Sequence, residues 1–200
     1  MPMALVPALD EDDLDPALRE RVAFFRGPLG VIPSSVRTMA HRQPIAEAFT
    51  ALNVAVMQDT GSVTPEFKRL LGYASSFASG CMYCQAHMIL ASERFGASEA
   101  RLDGVFDFED SGAFTEAEKA ALAFARAASE VPNAVTPAVM ERLRAHWDDG
   151  AIVEITAVVA LFGFLNRWND SVGSALEDLP LSRGEGRLAA ATGWRVGKHG

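Results

Sequence analysis

Ser79-Gly80-Cys81-Met82-Tyr83-Cys84-Gln85-Ala86-His87-Met88 carries the most reactive side chains in this 200-residue chain. It holds the chain's 2 cysteines, three positions apart, so any thiol chemistry is confined to this segment. A helix beginning near Cys81 would set Cys81, Cys84, His87 and Met88 along one stripe. At a helix N-terminus a thiolate is favoured over a thiol, and the thiolate is the nucleophile. Two thiols one turn apart can close a disulfide once one of them is oxidised. His87, a turn beyond Cys84, is within reach to move a proton or steady a thiolate. Two other readings stay open at this point. The cysteines can be buried apolar residues. They can also join His87 as metal ligands, with His41, His146 or a carboxylate as the fourth. No second Cys/His cluster supports a metal, and none is expected.

The composition narrows the setting. Hydrophobic residues make up 49% and charged residues 22%, enough to bury one substantial core. A net charge of −8 disfavours a nucleic acid or an anionic membrane as partner. Two close cysteines in a chain of this size suit a reducing, cytoplasmic compartment rather than a disulfide scaffold. The N-terminus lacks a basic region and runs into Asp10-Glu11-Asp12-Asp13, unlike a secretory signal. The most apolar run, 151–165, contains Glu154 and is shorter than the ~20 residues a bilayer requires. It reads as a core helix, with Arg69, Arg167 or His87 as candidate partners for Glu154.

The elements that must position these residues read as helices. Leu14, Leu18, Val22 and Phe25 recur every three or four residues after Pro16. Thr64-Pro65 and Thr136-Pro137 each pair a cap with a proline at the first helical position. Thr115-Glu116-Ala117-Glu118 is a capping box. A last long helix is expected over about 151–176. No run alternates at period two, so the chain is predicted all-α, with roughly eight helical segments. Residues 1–13 read as an arm, 14–180 as the helical domain, and 181–200 as a loosely held tail.

With these segments in place, the chain resembles the AhpD-like and peroxidase-related proteins of the carboxymuconolactone decarboxylase-like superfamily. The resemblance spans roughly 25–180. It rests on the Ser79–His87 segment, on Phe114-Thr115-Glu116-Ala117-Glu118-Lys119-Ala120-Ala121-Leu122-Ala123-Phe124, and on Val159-Ala160-Leu161-Phe162-Gly163-Phe164-Leu165-Asn166-Arg167-Trp168-Asn169-Asp170. It implies an AhpD-like helical fold, a homo-oligomer, and no metal or organic cofactor. It implies Cys84 as the peroxide-reactive thiol and Cys81 as its disulfide partner, reopened by a lipoyl or thioredoxin-like protein. The expected activity is thiol-dependent reduction of a hydroperoxide. The alternatives are a non-catalytic redox-responsive or binding module, and lactone decarboxylase chemistry that needs no thiol.

Two positions depart from the family pattern. Arg69 stands where a glutamate is expected, twelve residues before Cys81. Met88 stands where a histidine is expected, so His87 comes one place early, about 100° around a helix. Arg69 then becomes a candidate for lowering a thiol pKa by charge, unless it faces solvent or pairs with an acid. Glu66, one turn earlier, becomes a candidate replacement for the lost carboxylate, although an acid in a first helical turn has a simpler role against the helix dipole.

Overall fold

The structure, a computed structural model, describes residues 4–200. Among them there is no strand. The helices are α1 (Pro16–Val22), α2 (Arg26–Leu29), α3 (Ser34–Met39), α4 (Gln43–Met57), α5 (Pro65–Ala78), α6 (Met82–Arg94), α7 (Glu99–Gly104), α8 (Glu116–Ser129), α9 (Pro137–Arg144), α10 (Asp149–Val172), α11 (Asp178–Arg183) and α12 (Ala189–Thr192). The first three residues of the expected arm lie outside the described part. The rest of the arm is tied to the body. Leu5 N–H donates to the Val172 carbonyl at 2.7 Å, and the Leu9 carbonyl accepts from Arg37 at 2.8 Å.

Local chemistry sets the helix starts. Thr64, Thr115 and Thr136 each accept a backbone N–H three residues on, and Thr115 and Glu118 close both halves of a capping box. Around them, α5 is the centre of the molecule, packed against α6, α8 and α10. It is buried on all sides, Lys68 and Arg69 included. At Gly72 a methyl group would lie 2.5 Å from the Phe162 ring, so only glycine allows α10 to approach this closely. The polar cost of burying Lys68 is met by Glu154, 3.0 Å from Nζ. Glu154 also accepts the Ser62 N–H at 2.7 Å, pinning the loop before α5. None of the three candidate partners pairs with this carboxylate, which works as a structural tie.

Two ends differ from expectation. α10 stops at Val172 rather than near 176, because Gly173 turns left-handed (φ 66°) and the Asn169 carbonyl takes the N–H groups of Gly173 and Ser174. At 24 residues α10 is long and apolar enough to cross a bilayer by composition. Its Ile155, Val158, Leu161 and Phe162 side chains are instead core residues.

The segment after 180 is packed, not loose. Leu188, Trp194 and His199 are buried. Trp194 Nε1–H donates to the Met82 carbonyl at 3.0 Å, and His199 meets the Ser174 carbonyl at 2.9 Å. Glycine and arginine content hid three anchoring side chains. Trp194→Ala is expected to destabilise the protein by about 3–5 kcal/mol, as for other buried aromatic truncations. A denaturant midpoint within error of wild type would show that the tail merely rests on α6.

Candidate functional site

The turn between α5 and α6 places the first cysteine. Gly80 is left-handed (φ 72°), with its N–H donating to the Phe77 carbonyl and the Cys81 N–H to the Ser76 carbonyl. This pair of bonds ends α5 and starts α6 within three residues. Cys81 is the N-cap of α6, and its Sγ accepts the Cys84 backbone N–H at 3.5 Å. Both cysteines are free and buried.

Their electrostatics differ sharply. The hydrogen bond from the Cys84 side chain lowers the Cys81 pKa below the ordinary thiol value and outweighs the opposing effect of burial. Cys84 is pushed well above that value, first by burial and then by the neighbouring Cys81 sulfur; the Asn169 amide partly offsets this. Asn169 Nδ2–H donates to Cys84 Sγ at 3.3 Å. Of the two thiols, Cys81 is therefore the easier to ionise and Cys84 the harder.

Cys84 lines a pocket with a cavity volume of about 60 Å3. The walls are mostly apolar, with Phe25, Phe49, Phe162 and Leu165 among them. Phe24, 40% exposed, stands at the rim. Cys81 does not reach the pocket. His87 does, from the next turn of α6. Its Nδ1 lies 3.0 Å from the Tyr83 carbonyl, which can only accept, so this nitrogen carries a hydrogen. Its Nε2 lies 2.9 Å from Glu177 Oε2 in a close ion pair that is not a straight hydrogen bond.

Glu177 is the residue sequence reasoning missed. It directly precedes α11, just beyond the turn at Gly173. Its carboxylate also accepts from the Tyr83 hydroxyl at 3.1 Å and from the Ser34 backbone N–H. Burial alone would raise its pKa. The close approach of the His87 ring, with the Ser34 N–H, overcomes this and holds it at about 2. The only sequence signal was a glycine inside an apolar helical run, followed four residues later by an acid.

The expected supporting residues lie elsewhere. Glu66 forms a two-pronged pair with Arg101 at 2.9 and 3.0 Å, which Glu118 joins at 2.7 Å. That network ties α5, α7 and α8 and leaves Glu66 no part in a proton relay. Arg69 Nη1 donates to the Met57 and Pro65 carbonyls, and its guanidinium lies 3.6 Å over the Phe95 ring. It shifts neither thiol. Among the described residues no group of three or more His, Cys, Asp or Glu is arranged to hold a metal. His41 bonds the Pro7 carbonyl instead.

The Carboxymuconolactone decarboxylase family model matches residues 43–127, from α4 through most of α8. Crystal structures of the debrominase Bmp8 align over nearly the whole chain. One, of a cysteine-to-alanine variant in complex with 2,3,4-tribromopyrrole, is 31% identical, covers 92% of this chain and 97% of its own, and gives a TM-score of 0.85. The chain belongs to the carboxymuconolactone decarboxylase-like, AhpD-like superfamily.

A peroxidase-related AhpD-core protein from Ralstonia eutropha JMP134 is 26% identical, with a TM-score of 0.77 over 90% of this chain and 95% of that one. The uncharacterized protein YnjA of Escherichia coli (strain K12) is 36% identical over 93 residues, 46% of this chain. That match spans about half the length of the curated relative. The carboxylate near the histidine comes from Glu177 on the C-terminal side, not from α5.

Proposed function

We propose that the protein is a thiol-dependent reductase of an apolar organic hydroperoxide, working through the Cys81–Cys84 pair. The observation that carries this reading is the placement of Cys84 in the wall of an apolar pocket, with Cys81 behind it and the His87–Glu177 pair beside it. Cys84 passes its proton to Cys81, and the Asn169 amide supports the thiolate left behind. That thiolate attacks the outer peroxide oxygen. The O–O bond breaks, giving a sulfenic acid on Cys84 and an alkoxide, which takes a proton from His87 and leaves as the alcohol. Cys81 then attacks the Cys84 sulfur, a disulfide forms, and the sulfenic oxygen leaves as water. A lipoyl or thioredoxin-like dithiol in a reducing compartment returns both electrons. A homo-oligomer is the expected assembly.

A second reading is reductive dehalogenation, favoured by the phenylalanine-lined pocket and by the likeness to a debrominase crystallised with a brominated pyrrole. In that reaction the two thiols supply two electrons, carbon exchanges halogen for hydrogen, halide leaves, and the same disulfide forms. A parallel assay separates the two. Cumene hydroperoxide and 2,3,4-tribromopyrrole are each supplied with excess dithiol, and alcohol and bromide are measured. Alcohol formation, with one equivalent of protein disulfide per turnover before reduction, is expected. Bromide release without alcohol formation would move the assignment to the second reading. Neither product would reject both.

A further inference from the structure

Two buried cations lie side by side on α5, and they are treated differently. Lys68 has Glu154. Arg69 is 3% exposed and, among the described residues, has no carboxylate within ion-pair distance. Its Nη1 is committed to two carbonyls and one face of the guanidinium to Phe95, but Nε is buried with no partner. Asp59, whose charge reaches it most strongly, is a surface residue. Burial lowers the pKa to about 10, which leaves the group charged at neutral pH. A buried, unpaired cation is costly, so a fold that keeps one at a cavity wall points to an anion that visits it.

That wall belongs to the pocket bordered by Cys84. Arg69, Met57 and Asn53 line it together with Cys84 and His87. Asn53 stands one turn of α4 before Met57, whose carbonyl Arg69 holds, and it offers a second amide donor. The remaining walls are hydrocarbon and phenyl rings. The pocket thus combines a fixed cation, an apolar barrel and a reactive thiol. We propose that it takes an apolar monocarboxylate, with the carboxylate on Arg69 and the reducible group at Cys84. This deepens the reductase reading by naming its substrate class, and it uses the same pocket without depending on the redox steps.

Calorimetric titration of the reduced protein with octanoate and with octanamide tests it. The two share length and shape and differ in charge. Wild type is expected to bind octanoate about ten- to a hundredfold more tightly, as for a charge-assisted hydrogen bond in a buried site. In Arg69→Met the ratio is expected to fall to about one, and in Arg69→Lys to lie between. Equal binding of both compounds by wild type, binding of neither up to millimolar concentration, or an undiminished preference in Arg69→Met would each overturn the proposal. The wild-type comparison stands even if the Met variant does not fold. Because the readout is binding, an octanoate preference without hydroperoxide or halide turnover would reject the reductase reading and leave the carboxylate site on Arg69 intact.

Discussion

Cys84→Ser is expected to abolish dithiol-dependent reduction, by roughly a thousandfold or more, because Cys84 is the one cysteine lining the pocket. Cys81→Ser is expected to fail differently. One equivalent of hydroperoxide should be consumed, and the protein should gain one oxygen at Cys84 as a sulfenic acid, with no disulfide to follow. Peptide mass analysis after dimedone labelling reads this directly. The assignment is not trivial, since charge and access point to different sulfurs. Ease of ionisation favours Cys81, which is the N-cap and accepts from both the Cys84 backbone and side chain. Access favours Cys84. A nucleophile must touch its substrate, whereas a proton can hop between adjacent sulfurs, so access decides. If the label appears on Cys81 in Cys84→Ser, with turnover retained, the order of the two thiols is reversed.

The contrast between what could and could not be read from the residues has a physical cause. Helix starts are local events. Thr64, Thr115 and Thr136 announce themselves by side-chain bonds reaching only three residues ahead, and all three caps form as their sequences imply. The Cys pair is equally local, since Gly80, Cys81 and Cys84 are placed by a turn of a few residues. The partners of buried charges are not local. Glu154 meets Lys68, 86 positions earlier, and His87 meets Glu177, 90 positions later. Nothing in periodicity favours these over Arg69 or Arg167. The same limit applied to Arg69 itself. Its position on α5 reads as a charge beside a thiol, a solvent-facing residue or an acid's partner until the helix is seen to be surrounded on every side. The tail failed for another reason, since composition averages over twenty residues and Trp194 alone fixes much of it.

The charged pair at the site gives the second large effect. Glu177 is a positioning residue, holding the His87 ring beside the pocket while it also ties α3 and the Tyr83 hydroxyl together. Its pKa lies at about 2 in the folded protein, against an ordinary 4.5. A depressed folded-state value stabilises the protein above the unfolded pKa and loses that contribution as the pH falls through the folded one. The window is therefore pH 4.5 down to about 2, and the contribution is on the order of 3 kcal/mol. In Glu177→Gln the amide can still meet Ser34 and Tyr83 but brings no negative charge to the His87 ring. Its stability should be lower by a similar amount at neutral pH, and the fall between pH 4.5 and 2 should flatten. Turnover should drop by tens of fold, because the ring that delivers the proton to the departing oxygen loses its anchor. Urea midpoints measured from pH 2 to 7, beside a pH profile of kcat/KM, separate the two effects. A variant with wild-type acid sensitivity and an unshifted profile would show that Glu177 only fills space, and that some other group orients His87.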